Sequence, residues 1–330
     1  MRIAMVTDAW YPQPNGVVRV LGTLKRRIET AGHEVLVVSP DQFRTIPCPS
    51  YSEIRLALAP AAKVSALLDA FAPHAIHIAT EGPLGFSART YCLARARAFT
   101  TAYHTKFPQY LHVRTRLPLG WLYAAIRRFH APARYVLVPS PSVVRELTEI
   151  GFANLLPWSH GVDTELFRPR EKNALDFPRP IFMYVGRVTV DKNLPAFLDL
   201  DLPGTKVVVG SGPSRDSFMR RYPYARFLIA DGDEELTRYY SAADAFVFPS
   251  RTDTFGLVML EALASGVPVA AFPVTGPLDV IGDSGAGVLA EDLRAAALKA
   301  LSIPSNICRA HASRFSWDRV TEEFLAALAV

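Results

Sequence analysis

The stretch that decides the fold is TDTFGLVMLEALASGVP, at residues 252–268. The apolar run at 245–248 before it predicts a buried strand, and the spacing of apolar residues predicts a helix over 257–265. Gly266 then ends the helix, and Pro268 prevents its continuation. This part of the chain is therefore expected to form a strand, a loop and a helix in that order.

Two carboxylates, Asp253 and Glu261, lie eight residues apart around this strand-to-helix junction. The backbone N–H groups near Phe255, Gly256 and Leu257 have no partner within the helix, and Gly256 has no side chain to block a close approach. Glu261 lies one turn into the helix among apolar residues, where an unpaired charge is costly, so it should hydrogen-bond a specific partner. The pattern suits a ligand that is held at two points through hydroxyls or phosphate.

This pattern resembles the E-x7-E signature of retaining glycosyltransferases of family 4, which have the two-domain GT-B fold. The first acid of the signature is an aspartate in this chain. The resemblance implies that Asp253 and the amides of Phe255, Gly256 and Leu257 bind the donor sugar, and that Glu261 binds the ribose hydroxyls. On the residues alone, a helix-capping Asp253 with a salt-bridged Glu261 is the alternative.

A second motif, GRVTVDKN at residues 186–193, follows the predicted strand 181–185. Its Arg187 and Lys192 are expected at the carboxyl edge of the sheet, where open α/β sheets bind ligands. Two cations there can neutralise a diphosphate. The motif resembles the family's G-R-x-x-x-x-K-N element, which binds the donor diphosphate and stabilises it as it leaves. A surface salt bridge of either cation with Asp191 is the alternative.

Four further elements are candidates for the site. Gly210 and Gly212, in the turn VGSGP after a predicted strand, are placed for backbone contact with a phosphate. Gly16 ends the turn YPQPNG, which resembles the family's P-x-x-G-G-V loop over the donor, and His104 follows the fourth predicted strand, where the family commonly has a histidine on the donor sugar. A plain tight turn and a core histidine are the alternatives. Glu81 is a candidate for the acceptor hydroxyl, or equally for the acid at a helix N-terminus.

Strands alternate with helices along the whole chain. Strands are predicted at residues 3–6, 35–39, 75–79, 99–102 and 135–139, and again at 181–185, 206–209, 226–229, 245–248 and 267–272. This alternation is typical of parallel, doubly wound sheets. The expected fold class is α/β, of the GT-B type, with two Rossmann-like domains that face each other across a cleft.

The domain boundaries follow from a loss of periodicity between Gly161 and Pro180, where we place a hinge. We predict an acceptor-side domain at 1–165 and a nucleotide-sugar domain at 166–312. A helix that begins after the cap-like Ser316 belongs to a last segment, 313–330, which the resemblance implies crosses back onto the first domain.

Length and composition set the protein class. At 330 residues the chain exceeds the usual size of one domain, so two domains of about 150 residues are expected. No apolar run approaches the roughly 18 residues of a membrane span, and residues 1–7 are typical of a strand and not of a signal peptide. A soluble or peripheral cytoplasmic protein is expected. Cys48, Cys92 and Cys308 are odd in number and have no metal-site spacing, which indicates neither a disulfide framework nor a zinc site.

The net charge of +5 is unevenly distributed. Residues 1–150 carry 18 Lys and Arg against 9 Asp and Glu, whereas residues 151–330 carry 18 against 22. A stretch without any acid, between Glu81 and Glu146, holds ten cations: Arg89, Arg95, Arg97, Lys106, Arg114, Arg116, Arg127, Arg128, Arg134 and Arg145. Within it, residues 116–130 predict a basic amphipathic helix with Trp121, which suits an anionic membrane surface. A solvated helix packed on the core is the alternative, and nucleic acid is disfavoured because no recognition motif accompanies the charge.

Together, the motifs predict a sugar-nucleotide transferase without a metal cofactor, and the family resemblance implies that it retains the configuration of the sugar. It would transfer a mannosyl, glucosyl or glucuronosyl group from a GDP- or UDP-sugar to a membrane lipid such as diacylglycerol or a glycolipid, at the inner face of the membrane. A soluble or polysaccharide acceptor is the closest alternative, followed by a non-catalytic sugar-nucleotide-binding protein. A nicotinamide-dependent oxidoreductase is disfavoured, because the first predicted loop lacks G-x-G-x-x-G.

Overall fold

The structure is a computed structural model that describes residues 1–13, 15–48 and 51–328, without the side chains of residues 51–53, 113 and 114. Pro14 of the predicted loop over the donor, and the side chain of Arg114, therefore lie outside the described residues. None of the helices within the described ranges is both long and apolar enough to cross a membrane.

The chain forms two compact units. Met1–Ser159 and Asp318–Val330 make up the first unit, and His160–Trp317 make up the second. The divisions fall after residues 159 and 317, where the sequence prediction has them after residues 165 and 312.

The first unit is built on a parallel sheet. Its strands are β1 (Arg2–Val6), β2 (Glu34–Val38), β3 (Thr45–Cys48), β4 (Tyr51–Ala57), β5 (Ala75–Ile78), β6 (Thr100–Ala102), β7 (Val136–Val138) and β8 (Leu155–Pro157). Six of them form a parallel sheet in the order β2-β1-β5-β6-β7-β8, and β3 pairs with β4 as an antiparallel hairpin. The helices are α1 (Gly16–Thr30), α2 (Ala61–Phe71), α3 (Pro83–Ala94), α4 (Phe107–Thr115), α5 (Leu119–His130) and α6 (Pro141–Glu149).

The second unit has the same architecture. Its strands are β9 (Ile181–Val185), β10 (Thr205–Val209), β11 (Arg226–Leu228), β12 (Ala245–Phe248), β13 (Val269–Ala271) and β14 (Gly287–Leu289), all parallel in the order β11-β10-β9-β12-β13-β14. Its helices are α7 (Pro195–Leu198), α8 (Arg215–Arg221), α9 (Gly232–Ala242), α10 (Leu257–Ala264), α11 (Thr275–Val280), α12 (Leu293–Ala300) and α13 (Ser305–Ala312). A 3-10 turn at Val190–Lys192 precedes α7.

Burial on both faces explains why the central strands were predictable. Every residue of β9 and β12 is buried, as is expected where helices cover both faces of a parallel sheet. All ten predicted strands are confirmed within two residues at each end. The sequence analysis missed β3, β4, β8 and β14, of which β3, β8 and β14 are short and at most partly buried along their length.

The basic helix begins three residues later than predicted. Residues 107–115 form the separate helix α4, which ends at Arg116 in a left-handed conformation with φ of +57°. Pro118 then disfavours a helical conformation at Leu117, so α5 starts at Leu119. The prediction of one helix over 116–130 is corrected at its N-terminal end only.

The predicted C-terminal helix is α14 (Trp317–Ala327). From Asp318 onward its residues belong to the first unit. The indole Nε1 of Trp158 donates a hydrogen bond of 2.9 Å to the carbonyl of Val320. The ring of Phe324 contacts Trp158 at 5.5 Å between centroids and the imidazole of His77 edge-on at 5.0 Å. This helix therefore completes the core of the first unit.

His77 makes this core sensitive to acid. Its ring is fully buried on β5, with Nδ1 at 2.9 Å from the hydroxyl of Thr100. Burial, and secondarily the nearby His104, lowers the pKa of His77 to about 3. The unfolded chain therefore binds a proton below pH 6.5 that the folded chain does not accept.

We expect the free energy of unfolding to fall as pH falls from 6.5 towards 4, by up to about 1.4 kcal/mol per pH unit for this one group. Urea unfolding of the wild type and of His77→Gln at pH 7, 6 and 5 measures this. The variant should lose stability less steeply between pH 6.5 and 5, and equal slopes in the two proteins would contradict the assignment.

Candidate active site

The candidate site lies at the carboxyl edge of the second sheet. The loops after β9, β10 and β12 leave from strands that are hydrogen-bonded neighbours in the order β10-β9-β12. Because parallel strands all point the same way, these three loops leave from the same edge. They carry Arg187 and Lys192, Gly210 and Gly212, and Asp253, so the edge brings together residues that are more than 60 positions apart in the sequence.

The loop after β9 is held by Tyr184. The Tyr184 hydroxyl donates a hydrogen bond of 3.0 Å to the carbonyl of Arg187. Burial raises the pKa of this phenol well above its usual value, so the hydroxyl keeps its proton and remains a donor. Gly186 has φ of +150°, and a Cβ there would come within 2.7 Å of the Tyr184 hydroxyl. Tyr184 and Gly186 therefore fix the backbone from which the Arg187 side chain extends.

The glycine turn after β10 packs on that loop. Gly210 and Gly212 have φ of +145° and +151°, which side chains rarely adopt. A Cβ on Gly210 would overlap the carbonyl of Gly186, and one on Gly212 would lie 2.5 Å from the carbonyl of Val188. Close packing of two loops thus explains both glycines, and their predicted contact with a phosphate stays a prediction.

Lys192 and Asp253 form an ion pair between two loops. Lys192 ends the 3-10 turn after β9, and Asn193 beyond it donates a hydrogen bond of 3.1 Å to the carbonyl of Pro249, next to β12. Burial alone would raise the pKa of Asp253. The charge and hydrogen bond of Lys192, helped by Ser250 and Arg187, hold that pKa below its usual value. Asp253 is therefore an ionised carboxylate beside two cations.

Helix α10 begins at Leu257 with Gly256 as its N-cap. Gly256 has φ of +90°, and a Cβ there would lie 2.7 Å from the side chain of Met259. Because Gly256 is the cap, the alternative that Asp253 caps this helix is wrong. Phe255 anchors the loop through its buried ring, which packs against His160 at 5.1 Å between centroids.

Glu261 has the specific partner that the sequence analysis required. Its side chain is buried in α10, and the hydroxyl of Tyr240 on α9 donates a hydrogen bond of 2.8 Å to its Oε2. The phenol fixes one oxygen of the carboxylate, which orients the group. The expectation that Glu261 is hydrogen-bonded is confirmed.

Gly16 and His104 belong to the first unit, at the carboxyl ends of β1 and β6. Gly16 is the first residue of α1, and the side chain of Asn15 caps that helix by accepting a hydrogen bond of 3.0 Å from the amide of Val18. This cap explains the asparagine where the resembled family has glycine. Burial lowers the pKa of His104 to about 4, so its ring, which meets Trp158 edge-on, is neutral near pH 7.

Glu81 is joined to a histidine of the core. Its Oε1 lies 3.2 Å from Nε2 of the buried His130, whose Nδ1 lies 2.9 Å from the hydroxyl of Thr101. Gly82 is the N-cap of α3, which places Glu81 just before that helix. These contacts do not test the predicted role of Glu81 at the acceptor hydroxyl, which stays a prediction.

Models of two known families match nearly the whole chain. The model described as Glycosyltransferase Family 4 matches residues 14–166, and the model described as Glycosyl transferases group 1 matches residues 179–305. The chain belongs to glycosyltransferase family 4. It is therefore a glycosyltransferase, and the expectation from the two motifs is confirmed at this level.

Three relatives illustrate the range of this family. Sulfoquinovosyl transferase SQD2 from Arabidopsis thaliana is 31% identical over 290 residues, which cover 78% of this chain and 56% of that protein. A GDP-mannose-dependent alpha-mannosyltransferase from Mycobacterium tuberculosis is 28% identical, with 88% of this chain and 83% of that protein covered. Alpha-monoglucosyldiacylglycerol synthase from Streptococcus pneumoniae is 27% identical, with 91% and 78% covered.

Solved structures establish the fold of this glycosyltransferase. Sucrose-phosphate synthase from Thermosynechococcus elongatus superposes with a TM-score of 0.77 at 20% identity, covering 98% of this chain and 97% of that one. HepE from Anabaena, in complex with UDP-glucose, has a TM-score of 0.73 at 14% identity, covering 99% and 98%. The fold is GT-B, with two Rossmann-like sheets, as the sequence predicts.

Sequence analysis of this glycosyltransferase missed four residues that hold the loops at the two sheet edges. Tyr184 and Tyr240 hold Arg187 and Glu261, as described above. Gly276 is the second residue of α11, and a Cβ there would lie 2.8 Å from the carbonyl oxygen of Phe255. Asp8 is the fourth, and its signal is its position two residues after the end of β1.

Asp8 joins two loops of the first unit. Its buried carboxylate accepts hydrogen bonds of 2.9 Å and 3.3 Å from the amides of Leu84 and Gly85 and one of 2.8 Å from the hydroxyl of Thr80. A Cβ on Gly82 would overlap this carboxylate. Asp8 therefore fixes the N-terminus of α3 against the end of β1.

We expect Lys192→Met and Asp253→Asn to be strongly coupled. Each single replacement leaves the other group without its partner on the facing loop, whereas the double variant has neither charge. A double-mutant cycle of urea unfolding should give a coupling energy of about 1–3 kcal/mol. Lys299→Met, which removes an exposed lysine of α12, takes the place of Lys192→Met in the control cycle. Free-energy changes that simply add would contradict the ion pair.

Proposed function

We propose that this protein is a retaining hexosyltransferase. It moves a mannosyl, glucosyl or glucuronosyl group from a GDP- or UDP-sugar to a membrane lipid such as diacylglycerol or a glycolipid. It acts as a peripheral protein at the inner face of the membrane, and it uses no metal ion. The observation that carries the proposal is the Lys192–Asp253 ion pair beside Arg187, at the sheet edge where α/β proteins bind nucleotides.

In the proposed complex, Arg187 and Lys192 bind the diphosphate of the donor. Arg187 offers a planar fork of donors, and Lys192 supplies a compact charge that Asp253 already holds in position. Asp253 is ionised, so one of its oxygens accepts a hydrogen bond from a sugar hydroxyl while the other keeps Lys192 in place. The amides of Phe255, Gly256 and Leu257 at the start of α10 add donors to the sugar and the phosphate.

Glu261 binds the ribose in this proposal. A carboxylate accepts hydrogen bonds from the two ribose hydroxyls, and the Tyr240 hydroxyl on Oε2 fixes its rotamer. Because both side chains are buried, a nucleotide that lacks the ribose hydroxyls would leave the carboxylate poorly satisfied.

Transfer then breaks the bond between C1 of the sugar and the diphosphate oxygen and forms a bond between C1 and the acceptor oxygen. The acceptor proton passes to the departing diphosphate oxygen on the same face of the sugar, which retains the configuration. Negative charge grows on the diphosphate as it leaves, and the cations of Arg187 and Lys192 stabilise it. His104 is neutral above about pH 5, so in this proposal it hydrogen-bonds the donor sugar and carries no charge.

The choice of donor is supported by two relatives. One mannosyltransferase relative is named for GDP-mannose, and HepE binds UDP-glucose with the same fold. These names support a nucleoside diphosphate sugar as the donor class.

The lipid acceptor is supported by a relative and by the first unit. The Streptococcus pneumoniae relative is named for a glucosyldiacylglycerol. On α5 the Trp121 side chain is 73% exposed, and Leu117 before the helix is 46% exposed. Exposed apolar side chains beside Arg116 and Arg128 suit the interface of an anionic bilayer, where tryptophan and arginine are both favoured.

Several of the ten cations serve the fold itself. Among the side chains that the structure describes, six of these cations donate hydrogen bonds within the protein: Arg89, Arg95, Arg97, Lys106, Arg127 and Arg145. The proposed membrane contact therefore rests on Trp121, Leu117 and the arginines near them.

We expect the purified protein to transfer sugar from GDP-mannose or a UDP-hexose to diacylglycerol in vesicles, in the presence of EDTA, with retained configuration by proton NMR. Lys192→Met should lower kcat on the order of 100-fold, because it removes charge stabilisation that grows during the reaction. Lys299→Met, with a matched change of residue type at an exposed site, should keep full activity. A folded protein that transfers no sugar from any of these donors would contradict the proposal.

Trp121→Ala should weaken binding to vesicles that contain anionic phospholipid, because it removes an exposed indole from the proposed interface. We expect a several-fold lower partition coefficient in vesicle sedimentation and unchanged binding of the donor nucleotide. Tyr224→Ala, which removes an exposed aromatic ring from the second unit, is the control. Equal vesicle binding by Trp121→Ala and the wild type would exclude this surface as the membrane contact and would favour a soluble acceptor.

A further inference from the structure

A cavity lies in the second unit, at the amino edge of its sheet, opposite the carboxyl edge that carries the candidate site. It has a volume of about 560 Å³ and is walled by the segment before β9, the end of α9, the end of α10 and the start of α13. Pro180, Asp244 and Pro268 on its wall directly precede β9, β12 and β13. The cavity is therefore at the amino ends of these strands, whereas Arg187 and Asp253 follow the carboxyl ends of β9 and β12. Its volume is typical of small-molecule sites.

Three cations line this cavity. Lys172 Nζ lies 2.9 Å and Arg179 Nη2 lies 2.5 Å from the same Oδ1 of Asp244. The other carboxylate oxygen of Asp244 accepts a hydrogen bond of 2.8 Å from the amide of Ile181. Arg170, the third cation, is shared with Glu234, which pairs with it at 3.0 Å from outside the lining. The lining thus has three positive side chains against one negative side chain.

Two polar groups in the wall have unused hydrogen-bonding capacity. Ser265 is 3% exposed, and its hydroxyl has no hydrogen-bond partner among the described residues. The Nε of Arg170 is likewise buried and, within the described part of the chain, has no partner. Buried polar groups are normally paired, so two unpaired donors in the wall of one cavity indicate a missing acceptor.

The helix that begins at this cavity, α13, also favours the binding of an anion. Ser305 is the first residue of α13, whose N-cap, Pro304, offers no side-chain hydrogen bond. The first N–H groups of a helix attract anions. The remainder of the wall is apolar, from Val267, Leu301 and Ile303.

We propose that this cavity binds the phosphate group of a small organic phosphate. A phosphate monoester carries close to two negative charges and several acceptor oxygens, which match the excess of cations and the unpaired donors. The organic part then contacts Val267, Leu301 and Ile303. The site is separate from the proposed donor site, although α10 contacts both, with Glu261 along its length and Ser265 at its C-terminal end.

The test measures binding to the full chain by isothermal titration calorimetry at constant ionic strength, with inorganic phosphate and phenyl phosphate as probes. We expect both to bind and phenyl phosphate to bind more tightly, because its ring adds apolar contact. Ser265→Ala should raise the Kd about tenfold without loss of thermal stability, since its hydroxyl has no partner to lose. Lys172→Met should raise the Kd by a similar factor. Arg220→Met, an exposed cation of α8 that does not line the cavity, should leave the Kd unchanged.

Lys192→Met separates this site from the donor site. We expect it to bind phenyl phosphate as the wild type does, whether or not the protein proves to be a hexosyltransferase. Failure of both probes to bind the wild type would overturn the inference. So would binding that Lys192→Met abolishes and that Ser265→Ala and Lys172→Met leave unchanged.

Discussion

The parallel pairing of β9 with β10 on one side and β12 on the other is the constraint on which the candidate site depends. It makes the loops after three strands leave the sheet at one edge. The loops are then tied to one another: the glycine turn packs on Gly186, and Lys192 pairs with Asp253. Without this strand order, the charged residues of the two motifs would be unrelated in space. The ion pair also has an electrostatic consequence, because it keeps the partly buried carboxylate of Asp253 charged where burial alone would favour its neutral form.

Each unit fixes its loops through hydrogen bonds of buried polar side chains. Tyr184 holds the carbonyl of Arg187, Tyr240 holds the carboxylate of Glu261, and Asp8 holds the amides at the start of α3. A rigid supporting residue behind each of these groups reduces the freedom that a ligand would otherwise have to remove on binding. The cavity at the amino ends of the strands differs, because the hydroxyl of Ser265 and the Nε of Arg170 in its wall have no hydrogen-bond partner among the described residues.

Local patterns in the sequence predicted the fold and indicated most residues of the candidate site. Strands β9 and β12 were predicted with the observed bounds, because strands buried on both faces appear as continuous apolar runs. Strands β8 and β14 have three residues each and are only partly buried, so no such run marks them. Pro118 was the local signal that α5 starts at Leu119, and the prediction of a helix from residue 116 overlooked it. Local patterns do not predict which side chains form ion pairs. Lys192 pairs with Asp253, which is 61 positions away in the sequence.

A crystal structure of the protein with a nucleoside diphosphate hexose tests the central claim most directly. The account predicts phosphate oxygens within about 3.2 Å of the side chains of Arg187 and Lys192, and the ribose hydroxyls at a similar distance from Glu261. It also predicts that Asp253 remains beside Lys192 while it contacts the sugar. A nucleotide bound elsewhere, or one whose diphosphate does not contact either cation, would contradict the account.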